Sequence, residues 1–312
     1  MLKWRKKVIT AKVETSYGAD AAPTGAANAI LATKVQLTPI EGQEITRELE
    51  RPHFGGQPQI LVNKHVSLQF EVEAAGSGAA GTAPAYGPLL RACALSQTLD
   101  ATPGSEKVVY RPVSEGHESA SIHFNLDGTL HQLLGARGNV TLRVQAGQIP
   151  KFVFSFKGLF VAPSATALPA ADFSAFMDPQ EISDANTPAF TIDGYQAVMQ
   201  EFELDLANQV EGRFLVGQEA IVITDRQTRG SCNIEAPALG TKDVFALATS
   251  HARVPLSLVH GSGAGNVIEI TAPEVQLGRP GYTEVQGIAH LTTPLIFAPT
   301  DAGDDEVTIT IR

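Results

Sequence analysis

The chain has only two cysteines, Cys93 and Cys232, far apart and outside any Cys-x-x-Cys pair or His/Cys cluster with zinc spacing. A disulfide framework and a structural zinc site are therefore not expected. One tryptophan and 6% aromatic residues argue against a sugar-stacking cleft. No stretch reaches the roughly 18 to 20 uncharged apolar residues that a membrane-spanning helix needs, so no membrane partner is expected. The basic start, Met1 to Lys7, resembles that of an export signal, but Lys12 and Glu14 interrupt the apolar segment that should follow. Synthesis and folding in a cytoplasm are the expectation. Positive charge is also scarce: 23 Lys and Arg stand against 33 Asp and Glu, a net charge of −10. That sign argues against a protein that grips nucleic-acid phosphates.

Catalytic patterns are missing too. The eight histidines form no His-Glu-x-x-His, and there is no Gly-x-Ser-x-Gly elbow and no Ser-x-x-Lys. Gly76-Ser77-Gly78-Ala79-Ala80-Gly81 formally satisfies a dinucleotide fingerprint. However, Thr82 to Pro88 separates its last glycine from the next helical segment, so no helix N-terminus can sit on a pyrophosphate. The expectation is no enzyme, with no catalytic, cofactor-binding or metal-ligating residues.

What is present is a strand-rich chain of 312 residues, 43% hydrophobic and 18% charged, enough apolar material for a core and long enough for two domains. Period-two alternation marks strands at Val66–Glu73, Val140–Val144, Phe152–Phe156, Ala220–Thr224, Val267–Thr271 and Val307–Ile311. Asp127-Gly128, Gly263-Ala264-Gly265-Asn266 and Gly278-Arg279-Pro280-Gly281 read as hairpin turns. Helices are expected only at Tyr86–Leu95 and Lys242–Thr249.

Each helix follows a strand in its own half, which points to duplication. Phe70–Ala74 aligns with Cys232–Ala236, Gly138-Asn139-Val140 with Gly265-Asn266-Val267, and Lys157-Gly158-Leu159 with Gln286-Gly287-Ile288. The expected organisation is an N-terminal arm (1–34), a first β domain (35–162), a connector (163–200) with one helical turn near Phe173 to Phe176, and a second β domain (201–312). A long mixed-charge loop is expected over Ile40 to Gln59. On the strands, Gln69, Glu71 and Glu73 share the face opposite Leu68, Phe70 and Val72, and Glu203 and Asp205 lie opposite Phe202, Leu204 and Leu206. One such strand is a solvated sheet face; several together would make an acidic wall.

Taken together, Ala11–Asp20, Thr46–Gly55, Leu68–Glu73 with Gly76-Ser77-Gly78, Pro88–Cys93, Ile234-Glu235-Ala236 and Ala272–Val275 resemble the tail tube (major tail) proteins of long-tailed, siphovirus-like bacteriophages. The resemblance implies a mainly β chain of two tandem tail-tube-like β-sandwich or barrel domains, each with one short α-helix. It implies a structural virion protein that stacks as rings, a homotrimer with pseudo-sixfold symmetry, into a tube assembled in the host cytoplasm. The implied partners are further copies of itself, the tape measure, tail terminator and distal tail proteins, and double-stranded DNA that passes without specific binding. Glu71, Glu73, Glu203 and Asp205 would line an acidic lumen that repels phosphates. Trp4, Arg5, Arg47, Glu48, Arg51 and Phe54 would reach a neighbouring ring. The alternative is a soluble β-sandwich binding module, an adhesin or carbohydrate-recognition protein.

Overall fold

The computed structural model describes residues 1–312 and is built almost entirely of strands. The first half contains β1 (Lys7–Val13), α1 (Gly25–Asn28), β2 (Ala29–Ile30), β3 (Thr33–Thr46), β4 (Gln59–Glu73), α2 (Gly87–Arg91), β5 (Leu95–Asp100), β6 (Lys107–Pro112), β7 (Ala120–Leu126), β8 (Thr129–Gln145) and β9 (Lys151–Phe160). The connector carries only the two-residue β10 (Ser164–Ala165) before β11 (Ala189–Ile192) and β12 (Tyr195–Gln196). The second half continues with β13 (Met199–Asp205), β14 (Asn208–Leu215), β15 (Gln218–Arg226), β16 (Arg229–Glu235), α3 (Val244–Ser250), β17 (Arg253–His260), β18 (Ile268–Leu277), β19 (Gly281–Val285), β20 (Ile288–Ala298) and β21 (Thr308–Ile311).

One antiparallel pairing pattern occurs twice. In the first unit β3 and β4 form a long hairpin, β4 pairs β9, β9 pairs β8, β8 pairs β7, and β7 pairs β1. In the second, β13 and β14 run out and β15 and β16 return, β16 pairs β20, and β20 pairs β19 and the end of β18. β18 then pairs β17, and β17 pairs β11. The second unit thus uses β18 and β19 together where the first uses the single long β8. The β5–β6 hairpin has no counterpart, and β21 lies between β6 and β18, joining the units edge to edge.

A second join is β8 against β13. It makes one continuous run of eight strands, in the order β3-β4-β9-β8-β13-β16-β20-β19. The alternation read from the sequence sends Phe70, Phe152, Phe154, Phe156, Leu142, Phe202 and Leu204 to one side of it, where all are buried in a core of 51 residues that spans both units. Phe70, Phe154 and Phe156 pack ring on ring at 5.7 to 6.0 Å. Each fully buried phenyl stabilises the fold by about 1.5–3 kcal/mol.

The helices are short. Pro88 presets the first turn of α2, and Ala94 at φ 59° ends the segment, so the expected helix over 86–95 is α-helical only over Gly87–Arg91. Asp243 caps α3 by accepting a hydrogen bond from the Ala246 amide at 2.8 Å. In the connector, where one helical turn is expected, the Phe176 amide donates to the Phe173 carbonyl at 2.9 Å and closes a turn over 174–175 that is not helical.

Several expectations are corrected. Residues 7–13 are not part of an arm: β1 pairs along the whole of β7, and Ile9 and Ala11 are buried. Basic residues on both sides mask this short apolar run in the sequence. Residues 40–46 are not loop, because β3 continues through them to pair Thr46 with Gln59, with three irregularities in register that blur the alternation. The irregular tip is residues 47–58. Gly278 to Gly281 does not reverse the chain; β18 and β19 pair successive parts of the same strand, β20. The alignment of Phe70–Ala74 with Cys232–Ala236 matches equivalent strands, β4 and β16. The other two alignments do not: Gly138 lies inside β8 while Gly265 lies in a loop at φ +73°, and Gly158 lies inside β9 while Gly287 forms a turn.

The two glycine-rich segments meet each other. The Gly76 amide donates to Asn266 Oδ1 at 2.9 Å and the Gly78 amide to the Gly265 carbonyl at 3.1 Å. A Cβ on Gly76 would stand 1.9 Å from the Gly265 oxygen. These glycines allow backbone to lie on backbone between the two units.

Candidate functional site: a polar sheet face and two open edges

The eight-strand run has one face in the core and one polar face, and the four acids expected to share a wall do lie on that polar face. Their environments differ. Glu71 is only 7% exposed and is held by Lys34 Nζ at 2.9 Å and Lys151 Nζ at 3.1 Å. Burial pushes its carboxyl up, but the two ammonium groups outweigh burial and hold it below its ordinary value. Glu203 accepts from Arg143 Nε at 3.0 Å. Asp205 accepts from Asn139 Nδ2 at 2.6 Å, from Thr141 Oγ1 at 3.2 Å and from the Ala207 amide at 3.0 Å, with Arg229 Nε at 3.6 Å. Glu73 has no ion-pair partner.

Sequence reasoning missed the cations. Arg143, Lys151 and Arg229 sit opposite or beside the acids on neighbouring strands, a placement that only strand register reveals. It also missed Glu201 and Glu235, which extend the same face without ion pairs. The acids Glu71, Glu73, Glu201, Glu203, Asp205 and Glu235 thus share the face with Lys34, Arg143, Lys151, Lys157 and Arg229. The surface is polar and close to charge balance, and its uncompensated carboxylates are Glu73, Glu201 and Glu235.

The run is open at both ends. β3 pairs only β4, and β19 pairs only β20. Unpaired edges of this kind template further strand pairing. Beside the start of β3 lies a cleft of about 470 Å³ lined by Trp4, Arg5, Lys7, Ile9, Ile30, Leu31, Ala32, Lys34, Val35 and Phe173. Trp4 is exposed, with Lys7 Nζ 3.4 Å from its ring centroid.

The six residues expected to contact a neighbour separate into two groups. Trp4 and Arg5 border this cleft. Arg47, Glu48, Arg51 and Phe54 lie in the tip beyond Thr46, about 40 Å away along β3 at strand rise. Phe54 is fully exposed there, and Ile45 and Ile60 at the end of the hairpin are half exposed. The second unit's hairpin, β14–β15, is instead folded onto the first unit: Lys157 Nζ donates to the Val210 carbonyl at 2.9 Å, and Arg137 Nη1 to the Ile221 carbonyl at 2.9 Å.

No group of three or more His, Cys, Asp or Glu residues is arranged to hold a metal ion. Both cysteines are buried, and burial pushes their thiols up, Cys232 to about 12. Compared with known proteins, the chain matches the family described as "Phage tail tube protein" over residues 4–311. No curated protein matches it.

Proposed function

Because the chain belongs to the phage tail tube protein family, we propose that three copies close into a ring with pseudo-sixfold symmetry and that rings stack into a tube conducting double-stranded DNA. Membership makes the protein a structural component of the virion tail. The observation that supports the ring is the eight-strand run: it is polar on one face, buried on the other, built from two similar units, and unpaired at both edges. In a ring of three, each open edge finds a partner, and the polar face lines the lumen.

In this reading the lumen avoids holding DNA by balance more than by acidity. Glu71, Glu203 and Asp205 spend their charge on neighbouring cations, while Glu73, Glu201 and Glu235 present free carboxylates that repel phosphates. The role is structural and non-catalytic. The chain divides functionally into two tube units, with residues 163–200 chiefly as connector, and the exposed tip with Arg47, Glu48, Arg51 and Phe54 contacts the adjacent ring. Assembly takes place in the host cytoplasm with tape measure, terminator and distal tail proteins as partners.

Negative-stain electron microscopy with mass measurement of the purified protein tests this. Hollow rings or tubes with three chains per ring are expected. Six chains per ring would overturn the two-unit reading, and a monodisperse monomer at every concentration would favour the binding-module alternative. Changing Glu73, Glu201 and Glu235 to Lys should leave tubes intact and impair DNA ejection; normal infectivity would remove the lumen assignment.

A further inference from the structure

Resting on the ring proposed above, we infer that neighbouring chains join by antiparallel pairing of β19 of one copy with β3 of the next, in the register of the β8–β13 junction inside the chain. That junction is where the first unit meets the second, so it is an internal example of one unit meeting another. The register transfers through the ladders. Thr141, Leu142 and Arg143 face Val153, Phe152 and Lys151, as Gly281, Tyr282 and Thr283 face Thr292, Leu291 and His290. Glu203, Leu204 and Asp205 face Ser231, Gly230 and Arg229, as Gln36, Leu37 and Thr38 face Gln69, Leu68 and Ser67. The strands between them correspond as well, because Gln69 pairs Ser155 where Ser231 pairs Pro294.

Within the chain, Leu142 pairs Leu204 and Arg143 pairs Glu203. Between chains, Tyr282 therefore comes opposite Leu37 and Thr283 opposite Gln36.

Burial agrees independently. Leu142 and Leu204 are 3% and 2% exposed, whereas Tyr282 at the matching position is 68% exposed and Leu37 is only half-buried. Tyr282 rests against the Phe245 ring at 5.6 Å between centroids and leaves the rest of its surface in water, at a position that is core in the sister unit, so it still awaits cover. Charge agrees too. The same register brings Glu284 beside Val35, at the cleft where Arg5 and Lys7 have no carboxylate partner within the chain. Trp4 and Arg5 then belong to a contact within the ring, and only the hairpin tip is left to contact the ring above or below.

The test uses the full chain with Gln36→Cys and Thr283→Cys. Directly opposed residues of an antiparallel pair lie about 4.5–5.5 Å apart at Cα, within disulfide reach, and the two native cysteines are buried. Mild oxidation of assembled protein should give covalent dimers and trimers on a non-reducing denaturing gel. Gln36→Cys with Glu284→Cys, one residue out of register and on the opposite face, should crosslink at least tenfold less. Rings in the microscope without the first crosslink, or with both equally, would overturn the register while leaving the ring intact. Absence of rings from the unmodified protein would overturn the proposed function instead. Should the double-cysteine chain fail to assemble, Tyr282→Ala decides: it should raise the concentration needed for assembly at least tenfold while the unassembled chain stays folded by circular dichroism, losing only its contact with Phe245. An unchanged threshold would refute the pairing.

Discussion

Replacing Arg226 with Met should destabilise the fold far more than the same change at Arg143. Arg226 ends β15, and its guanidinium is almost fully enclosed: Nη1 donates to the Val113 carbonyl at 2.9 Å, Nη2 to Asp304 Oδ1 at 3.0 Å, and Nε to Glu306. The Arg226 and Glu306 side chains are 10% and 6% exposed, and Glu306 Oε2 has no hydrogen-bond partner. Removing the cation leaves a buried carboxylate uncompensated, which costs about 3–5 kcal/mol. Arg143 and Glu203 are 57% and 37% exposed, and a pair so hydrated contributes about 0–1 kcal/mol. Urea unfolding of the unassembled chain, followed by circular dichroism, measures both. The double change Arg226→Met with Glu306→Leu should recover most of the loss, because it removes the stranded charge along with its partner. Equal costs for Arg226→Met and Arg143→Met, or a double variant as damaged as the two single changes added together, would refute the reasoning.

Deleting residues 1–13 should give insoluble protein, since it strips the partner from the whole length of β7; a soluble product with an unchanged melting temperature would mean that β1 is dispensable. Gly76→Ala should destabilise by at least about 1–3 kcal/mol in the same urea assay, because the added methyl meets the Gly265 backbone, and a neutral result would mean that the two units can separate there. Burial holds His117, His131 and His260 below their ordinary pKa. The unfolded chain therefore takes up protons at higher pH than the folded chain, so the contribution of these histidines to stability is full above about pH 6.5 and is lost as pH falls from there toward their folded pKa values. The thermal midpoint should drop between pH 7.5 and 5.5, and a rise on acidification would contradict this.

Which parts of this architecture can be read from the sequence follows from the range of each signal. Leu68 to Glu73 shows both its strand and its two faces, because alternation is a property of neighbours. Asp127-Gly128 shows its turn, since both residues take positive φ. β1 is hidden because Lys7–Val13 is short and flanked by charge, and β3 because its register slips at three places. Four of the six acids of the polar face, Glu71, Glu73, Glu203 and Asp205, are legible in the sequence, but their compensation is not: Lys34 and Lys151 reach Glu71 from two different strands, and no spacing along the chain encodes that. The likeness between the two pairing patterns is legible at β4 and β16. It is not at Gly138 and Gly158, where a three-residue likeness carries no information about pairing. Nothing local to the glycine run at 76–81 shows its partner at 263–266, which is a fact of the fold alone.

The placement of β21 has a consequence for how each copy is made. Residues 309–311 pair with residues 108–110, so β6 keeps an open edge while the whole second unit is synthesised and folded. Contacts so distant along the chain form late, after the entropy of closing the loop has been overcome by other pairings. During that interval the edges of β6 and of the first half of β18 are exposed together, and their closure is a single late event. Removing residues 308–311 would leave β6 and the first half of β18 each with an unpaired edge of the kind that templates aggregation, so this short strand protects both units at once.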